Sequence, residues 1–195
     1  MFHPSRRLVA ATAALSLSAA GVVAFAAPAA AAPGDLLISE YIEGSSNNKA
    51  IEIYNPSAAP VDLGAAGYAV RQFSNGNGVT PMFTQPLTGT LQPGDVFVLA
   101  HSQAAPAILA QADLAVNLGF FNGDDAVLLL KGAEIVDSVG QVGVDTGTEW
   151  GTGLTSTADN TLRRKAEIVM GDTNATDAFD PSVEWFRRLL REIGQ

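Results

Sequence analysis

The sequence has no cysteine and only two histidines in 195 residues. Without cysteine, the chain cannot form a disulfide-stapled fold, a zinc–cysteine site or a thiol active site. Basic residues are also scarce, since 11 Lys and Arg stand against 20 Asp and Glu and give a net charge of −9. Contacts to phosphate need clustered Lys and Arg, so direct binding of DNA is not expected.

The first 31 residues have the three-part pattern of a secretory signal peptide. A short basic start, His3–Arg7, precedes an apolar run from Leu8 to Phe25, and small residues surround the predicted cut after Ala31. We therefore expect a secreted protein, extracellular or attached to the cell envelope, with no transmembrane segment after cleavage. An uncleaved anchor is the alternative, but the Ala-rich run is only weakly hydrophobic. Cleavage leaves 9 basic and 20 acidic residues, a net charge of −11.

The rest of the chain has the pattern of short strands separated by turns. Ile51 and Ile53 alternate with Glu52 and Tyr54, which is the period of two that a half-buried strand shows. Clusters of Asn, Gly, Pro and Ser separate such segments. Seven to nine short strands at this spacing predict an all-β sandwich. Seven strands and one short helix are clear: 36–42, 50–54, 68–73, 96–100, 126–130, 134–139 and 161–165, with the helix at 106–112.

His101 is the only histidine left after signal cleavage, so a Ser-His-Asp site would have to use it. It stands at the end of an apolar strand, beside Ser102. A histidine in that place more often serves a turn or packs in the core, and we assign no catalytic residue from the sequence.

Asp124 and Asp125 are the candidate metal ligands, because they follow Asn122-Gly123 in an oxygen-rich turn. Calcium prefers such oxygen ligands and is the one candidate cofactor. The spacing does not match the twelve-residue calcium loop. We therefore favour an alternative in which one of the two carboxylates caps the turn by accepting from backbone amides. Hydrolysis by paired carboxylates is a third, weaker interpretation.

A second polar cluster contains Glu40, Glu43, Asn47, Asn48 and Glu52. The alternation around Glu52 leaves this glutamate half buried, and a buried charge needs a partner. Two arginines inside one predicted strand are the natural partners, and alternation places them on opposite faces. We expect a structural ion pair between Glu52 and one of these two residues, Arg163 or Arg164.

Several ordered segments together resemble the bacterial lamin-tail domain. They run from about Gly34 to Trp185 and comprise Ile38–Asn55, Gly94–His101, Phe121–Val127, Asp137–Gly140, Ala158–Lys165, Gly171–Thr173, Phe179–Pro181 and Glu184-Trp185. The predicted organisation is a signal peptide (1–31), a lamin-tail-like domain (34–185) and a C-terminal tail (186–195). The tail departs from the family pattern and is predicted to be helical or disordered.

The resemblance implies an immunoglobulin-like β-sandwich, in agreement with the strand pattern. This version is similar to the N-terminal module of secreted nucleases, where a catalytic domain of the endonuclease/exonuclease/phosphatase type follows. The family's catalytic residues belong to that following domain, so none carries over. We expect a secreted, non-enzymatic module that contacts a protein, the envelope or an extracellular polymer. The alternative is an accessory N-terminal fragment of a DNA-degrading nuclease.

Overall fold

The structure is a computed structural model that describes residues 34–117 and 121–187. The predicted signal peptide, 1–31, and the last part of the predicted tail, 188–195, lie outside the described residues. The strands are β1 Leu37–Glu43, β2 Lys49–Tyr54, β3 Val61–Asp62, β4 Tyr68–Phe73, β5 Phe83–Pro86, β6 Thr90–Leu91, β7 Val96–His101, β8 Leu114–Val116, β9 Ala126–Lys131, β10 Glu134–Val139, β11 Thr161–Arg164 and β12 Trp185–Arg187. The helices are α1 Pro106–Leu109, α2 Pro181–Glu184 and a 3₁₀ turn, Gly153–Thr155.

Two sheets pack face to face. One has six strands in the order β12-β11-β1-β2-β7-β8, and the other has four in the order β10-β9-β4-β5. Strands β3 and β6 form a separate small pair. Neighbouring strands are antiparallel except β7 and β8, which are parallel. Period-two alternation turns one face of each strand inward, and the core between the sheets includes Ile38, Ile53, Leu99, Leu129, Leu162 and Trp185.

Two smaller apolar clusters cover outer faces of the sheets. Ala50, Val98 and Ala100 pack beneath Ile108 and Ala112 in and after α1. On the other sheet, a second cluster forms around Ala175 and contains Phe73, Ala126, Leu128 and Leu130. Strands β7 and β9 are therefore buried on both faces. In β7, every residue after the exposed Val96 is buried.

The seven predicted strands are present, and their ends differ from the prediction by at most one residue. The helix is shorter than predicted, because α1 ends at Leu109. The prediction of a helical or disordered tail is wrong for Phe186 and Arg187, which form β12 with Trp185. This segment pairs with the free edge of β11, and the buried Trp185 holds it there. The sheet thus continues two residues beyond the predicted boundary at Trp185.

Candidate functional site

Loops from both sheets meet at one end of the sandwich, and we call this end the acidic loop surface: residues 43–48, 74–78, 121–125 and 140–160. The loops are joined by hydrogen bonds. Asn75 N donates to Asp125 Oδ1 at 3.0 Å, and Glu43 N donates to the carbonyl of Asn160 at 3.0 Å. The Thr157 hydroxyl donates to the carbonyl of Gly123. Segments that are far apart in the sequence therefore form one connected surface.

Asp125 anchors the turn at the centre of this surface. Its side chain is buried, and its carboxylate accepts from Gln72 Nε2 and Asn75 N, each at 3.0 Å. The Asn122 amide, with its nitrogen turned toward the acids, donates to Asp125 Oδ2 at 3.1 Å. Burial raises the pKa of Asp125, the Asn75 amide opposes that rise, and the charge of Asp124 adds to it. Asp125 thus has the turn-capping contacts that the sequence offered as the alternative to calcium.

Asp124 is close to a third carboxylate, that of Asp145. Burial raises the pKa of Asp124, and the charge of Asp145 raises it further. The loop that carries Asp145 touches the turn at Gly76, where a Cβ atom would stand 2.9 Å from the Asp145 Cβ. Asp145 Oδ1 in turn accepts from Gly147 N at 2.7 Å, which fixes the carboxylate.

Within residues 34–117 and 121–187, no group of three or more Asp, Glu or His side chains is arranged to hold a metal ion. The two candidate calcium ligands, Asp124 and Asp125, are neighbours in the turn, and both are buried. Calcium binding there stays a prediction, and metal-dependent melting is the measurement that checks it.

A buried ion pair supports the neighbouring loop. Lys49 Nζ contacts Glu43 Oε1 and the carbonyl of Gly44, and both charged side chains are only 5 % exposed. Glu43 Oε2 accepts from the backbone amide of Asp159, which directs that exposed residue outward. Beneath the loops, burial raises the pKa of the Tyr41 hydroxyl, and the charge of Glu43 adds to the effect.

The other polar residues singled out in the sequence build the adjacent turn after β7. Asn48 Oδ1 accepts from Ala105 N at 2.8 Å, and Asn47 Nδ2 donates to Gln103 Oε1 at 3.0 Å. His101 is fully buried, and its Nδ1 accepts from Gln103 N at 3.0 Å. The geometry of His101 is that of the turn and packing role that we favoured over catalysis.

The two arginines of β11 have partners other than the expected one. Arg163 pairs with Glu40 at 2.8 Å, because β1 and not β2 is the neighbour of β11. Arg164 lies on the opposite face and forms two hydrogen bonds to Asp137, at 2.7 and 2.8 Å. Glu52 accepts from the Ser39 hydroxyl at 2.7 Å. The sequence missed Asp137 as a partner, since this residue comes from the other sheet.

The acidic loop surface carries net negative charge. Asp145 and Asp159 are exposed, and the buried Asp124 lies close to Asp145. The four loop ranges contain no Lys or Arg, and Lys49, the first residue of β2 beside them, is already neutralised by Glu43. Such a surface attracts a cation or a positively charged chain and repels nucleic acid.

A six-stranded and a four-stranded sheet, packed face to face with the polar loops at their ends, define an immunoglobulin-like β-sandwich module. A family model for the Lamin Tail Domain matches residues 29–143, which is more than half of the chain. The chain belongs to this family, as the resemblance in its sequence predicted. No curated protein matches it. Within the described ranges, no helix has the length and apolar character to cross a membrane.

Proposed function

We propose that this lamin-tail protein is a secreted, non-catalytic binding module whose acidic loop surface holds a basic partner outside the cytoplasm. The partner is a protein or an extracellular or envelope polymer that carries positive charge. One observation carries the proposal: the exposed carboxylates of Asp145 and Asp159 stand on loops that hydrogen bonds fix in place. Loops that are rigid before binding lose little conformational entropy when a partner docks.

The hydrogen-bond partners of the buried polar side chains support a binding role over a catalytic one. The buried imidazole of His101 serves its own turn, and the carboxylates of Asp125 and Glu43 accept from structural partners. A general acid or base needs to reach the substrate proton directly or through one water. These groups are directed into the protein.

The proposal is tested by measuring the affinity of the purified secreted chain for poly-L-lysine over a range of salt concentrations. The double variant Asp145→Asn/Asp159→Asn is compared with Asp95→Asn/Glu134→Gln, which removes two exposed charges elsewhere. Asparagine keeps the acceptor that Gly147 N uses and tolerates the positive φ of 50° at position 159. We expect the loop variant to bind about tenfold more weakly and with a smaller salt dependence, while the control keeps wild-type behaviour.

An equal loss in both double variants would show general attraction to an acidic protein and would reject the loop surface as the site. Double-stranded DNA is incubated with the same samples, with and without divalent cations. DNA cleavage by the purified chain would contradict the non-catalytic proposal and would favour hydrolysis by the paired carboxylates.

A further inference from the structure

A groove of about 530 Å³ lies at the end of the sandwich opposite the acidic loop surface. Tyr68 and Lys131 pair at this end of β4 and β9, whereas Phe73 and Ala126 pair at the other end. We call it the Lys131 groove and define it by six lining residues: Asp35, Asp62, Ala65, Ala66, Tyr68 and Lys131. Its size is within the range that small-ligand sites occupy.

One wall of the groove is formed by Asp35 and the two side chains that are hydrogen-bonded to it, Tyr68 and Lys131. The Asp35 carboxylate accepts from the Tyr68 hydroxyl, from Leu36 N at 2.9 Å and from Lys131 Nζ at 3.0 Å. Burial raises the pKa of Tyr68, and the hydrogen bond to Asp35 raises it further, so the phenol keeps its proton at neutral pH. These contacts use both oxygens of Asp35 within the protein, where its side chain is only 9 % exposed.

Lys131 is therefore the donor that this wall presents to the groove. Its ammonium lies 5.7 Å from the centre of the Tyr68 ring, and its side chain is 41 % exposed. An ammonium has three N–H donors, and Asp35 takes one of them. The ion pair with Asp35 and the contact with the Tyr68 ring hold Lys131 in place. Because the side chain is half exposed, its other N–H donors are accessible from the groove.

The lining of the groove also includes an acceptor, Asp62. Asp62 is exposed, and its Oδ1 accepts from Ala65 N at 2.9 Å, which fixes the carboxylate. Ala65 and Ala66 line the groove as well and add apolar surface to it.

The charged side chains that line the Lys131 groove determine which class of ligand it can bind. A negatively charged ligand gains Lys131 but meets the carboxylates of Asp35 and Asp62, and a positively charged ligand meets the ammonium. A neutral polyhydroxylated ring satisfies both kinds of charged group, because each hydroxyl accepts from an ammonium and donates to a carboxylate. Its C–H face packs on the alanine methyl groups. We propose that the Lys131 groove binds a neutral sugar unit of an extracellular polysaccharide.

The test is calorimetric titration of the purified secreted chain with three neutral probes: cellohexaose, maltohexaose and N-acetylchitohexaose. A chitosan hexamer and a hexagalacturonate serve as the positively and negatively charged counterparts. We expect at least one neutral probe to bind with a Kd of about 1 mM or tighter, and the charged probes to bind more weakly. Loss of one charged hydrogen bond in Asp62→Asn or Lys131→Met weakens that binding about tenfold.

Asp62→Asn keeps the oxygen that accepts from Ala65 N, so the variant folds, and a melting curve confirms this. Asp145→Asn, at the far end of the sandwich, is the matched control and leaves sugar affinity unchanged. No binding by any neutral probe at about 10 mM, stronger binding of a charged probe, or an unaffected Asp62→Asn each overturns the proposal. The Lys131 groove is separate from the acidic loop surface. A negative result in the sugar titration therefore does not contradict the proposed binding of a basic partner, which the poly-L-lysine experiment tests.

Discussion

At the acidic loop surface, the charge on Asp124 opposes folding. The side chain is 5 % exposed, and the nearby Asp145 repels it. Both effects raise the pKa of Asp124 above its ordinary value of 3.8, burial being the larger cause. The folded protein therefore holds this proton more tightly than the unfolded chain does. Stability falls as the pH rises through the interval between the two pKa values, and the cost is fully present at neutral pH.

We therefore predict that Asp124→Asn makes the protein more stable at pH 7. The expected rise in Tm is roughly 1–3 °C, the effect of a fraction of a kcal/mol to about 1 kcal/mol in a domain of this size. The rise shrinks as the pH falls toward the ordinary value of 3.8, because the raised pKa lets the folded wild-type protein bind the proton and lose the unfavourable charge. Calorimetric melting between pH 4 and pH 7 in the presence of a chelator measures it.

Asp95→Asn is the control, since it removes an equal charge from an exposed turn. An equal rise in both variants would assign the effect to overall net charge and contradict the local explanation. Repeating the melts with calcium tests the predicted ligands Asp124 and Asp125. Calcium that raises the Tm of the wild type but not of Asp124→Asn confirms the site, and no calcium response rejects it.

Single residues differ in how much of their environment the sequence reveals. Alternation correctly separates Arg163 from Arg164, since the burial of β11 alternates along the strand. Their partners depend on strand order, which the sequence pattern does not contain. Glu52 has the right charge and half-burial, but β1 lies between β2 and β11 and presents Glu40 instead.

At the scale of turns and strands, Gly123 allows the central turn of the acidic loop surface to pack. Its φ is +104°, a conformation that glycine adopts readily and other residues rarely do. A Cβ atom would stand 2.7 Å from the Ala158 Cβ and 2.9 Å from the Thr148 carbonyl oxygen. The turn that holds Asp124 therefore lies directly against the loop that precedes β11.

We predict that Gly123→Ala lowers the free energy of unfolding by about 3 kcal/mol or more, because backbone strain and overlap with neighbouring atoms act together. Gly132→Ala is the matched comparison: φ there is +62°, but a Cβ atom meets nothing within 4 Å. Strain alone costs about 1–2 kcal/mol. Urea unfolding of both variants measures the two losses, and equal losses would show that the close packing at Gly123 adds nothing.

The elements that the sequence predicts are those whose signal is local. Gly132 stands between two predicted strands, 126–130 and 134–139, and the structure joins these strands in a hairpin there. The strands that the sequence did not predict are short, with two to four residues each: β3, β5, β6, β8 and β12. Segments this short carry too few residues to show a period of two. They become strands because a neighbouring edge offers hydrogen bonds, as β11 does for β12.

For the molecule as a whole, Arg164 ties together parts of the fold that are distant in the sequence. It stands on β11 of the six-stranded sheet and forms two hydrogen bonds with Asp137 on β10 of the other sheet. Its Nε donates to the carbonyl of Ile38 at 2.8 Å, and its guanidinium lies 4.2 Å from the Trp185 ring centre. Asp137 also accepts from the backbone amides of Ile38 and Asp172. Both sheets and the final strand thus share one buried network.

Arg164 is 2 % exposed and is the cation of the buried carboxylate of Asp137, with a further hydrogen bond to the carbonyl of Ile38. The adjacent Arg163 is 41 % exposed and pairs with one buried carboxylate, that of Glu40. We predict that Arg164→Met costs about 3–5 kcal/mol of unfolding free energy and Arg163→Met about 1–2 kcal/mol, because only one buried carboxylate loses a half-exposed partner in the second variant. Native domains are stable by only about 5–15 kcal/mol, so the first variant is close to unfolding at 37 °C. Urea unfolding of the two variants measures the difference, and similar losses would mean that the network does not hold the two sheets together.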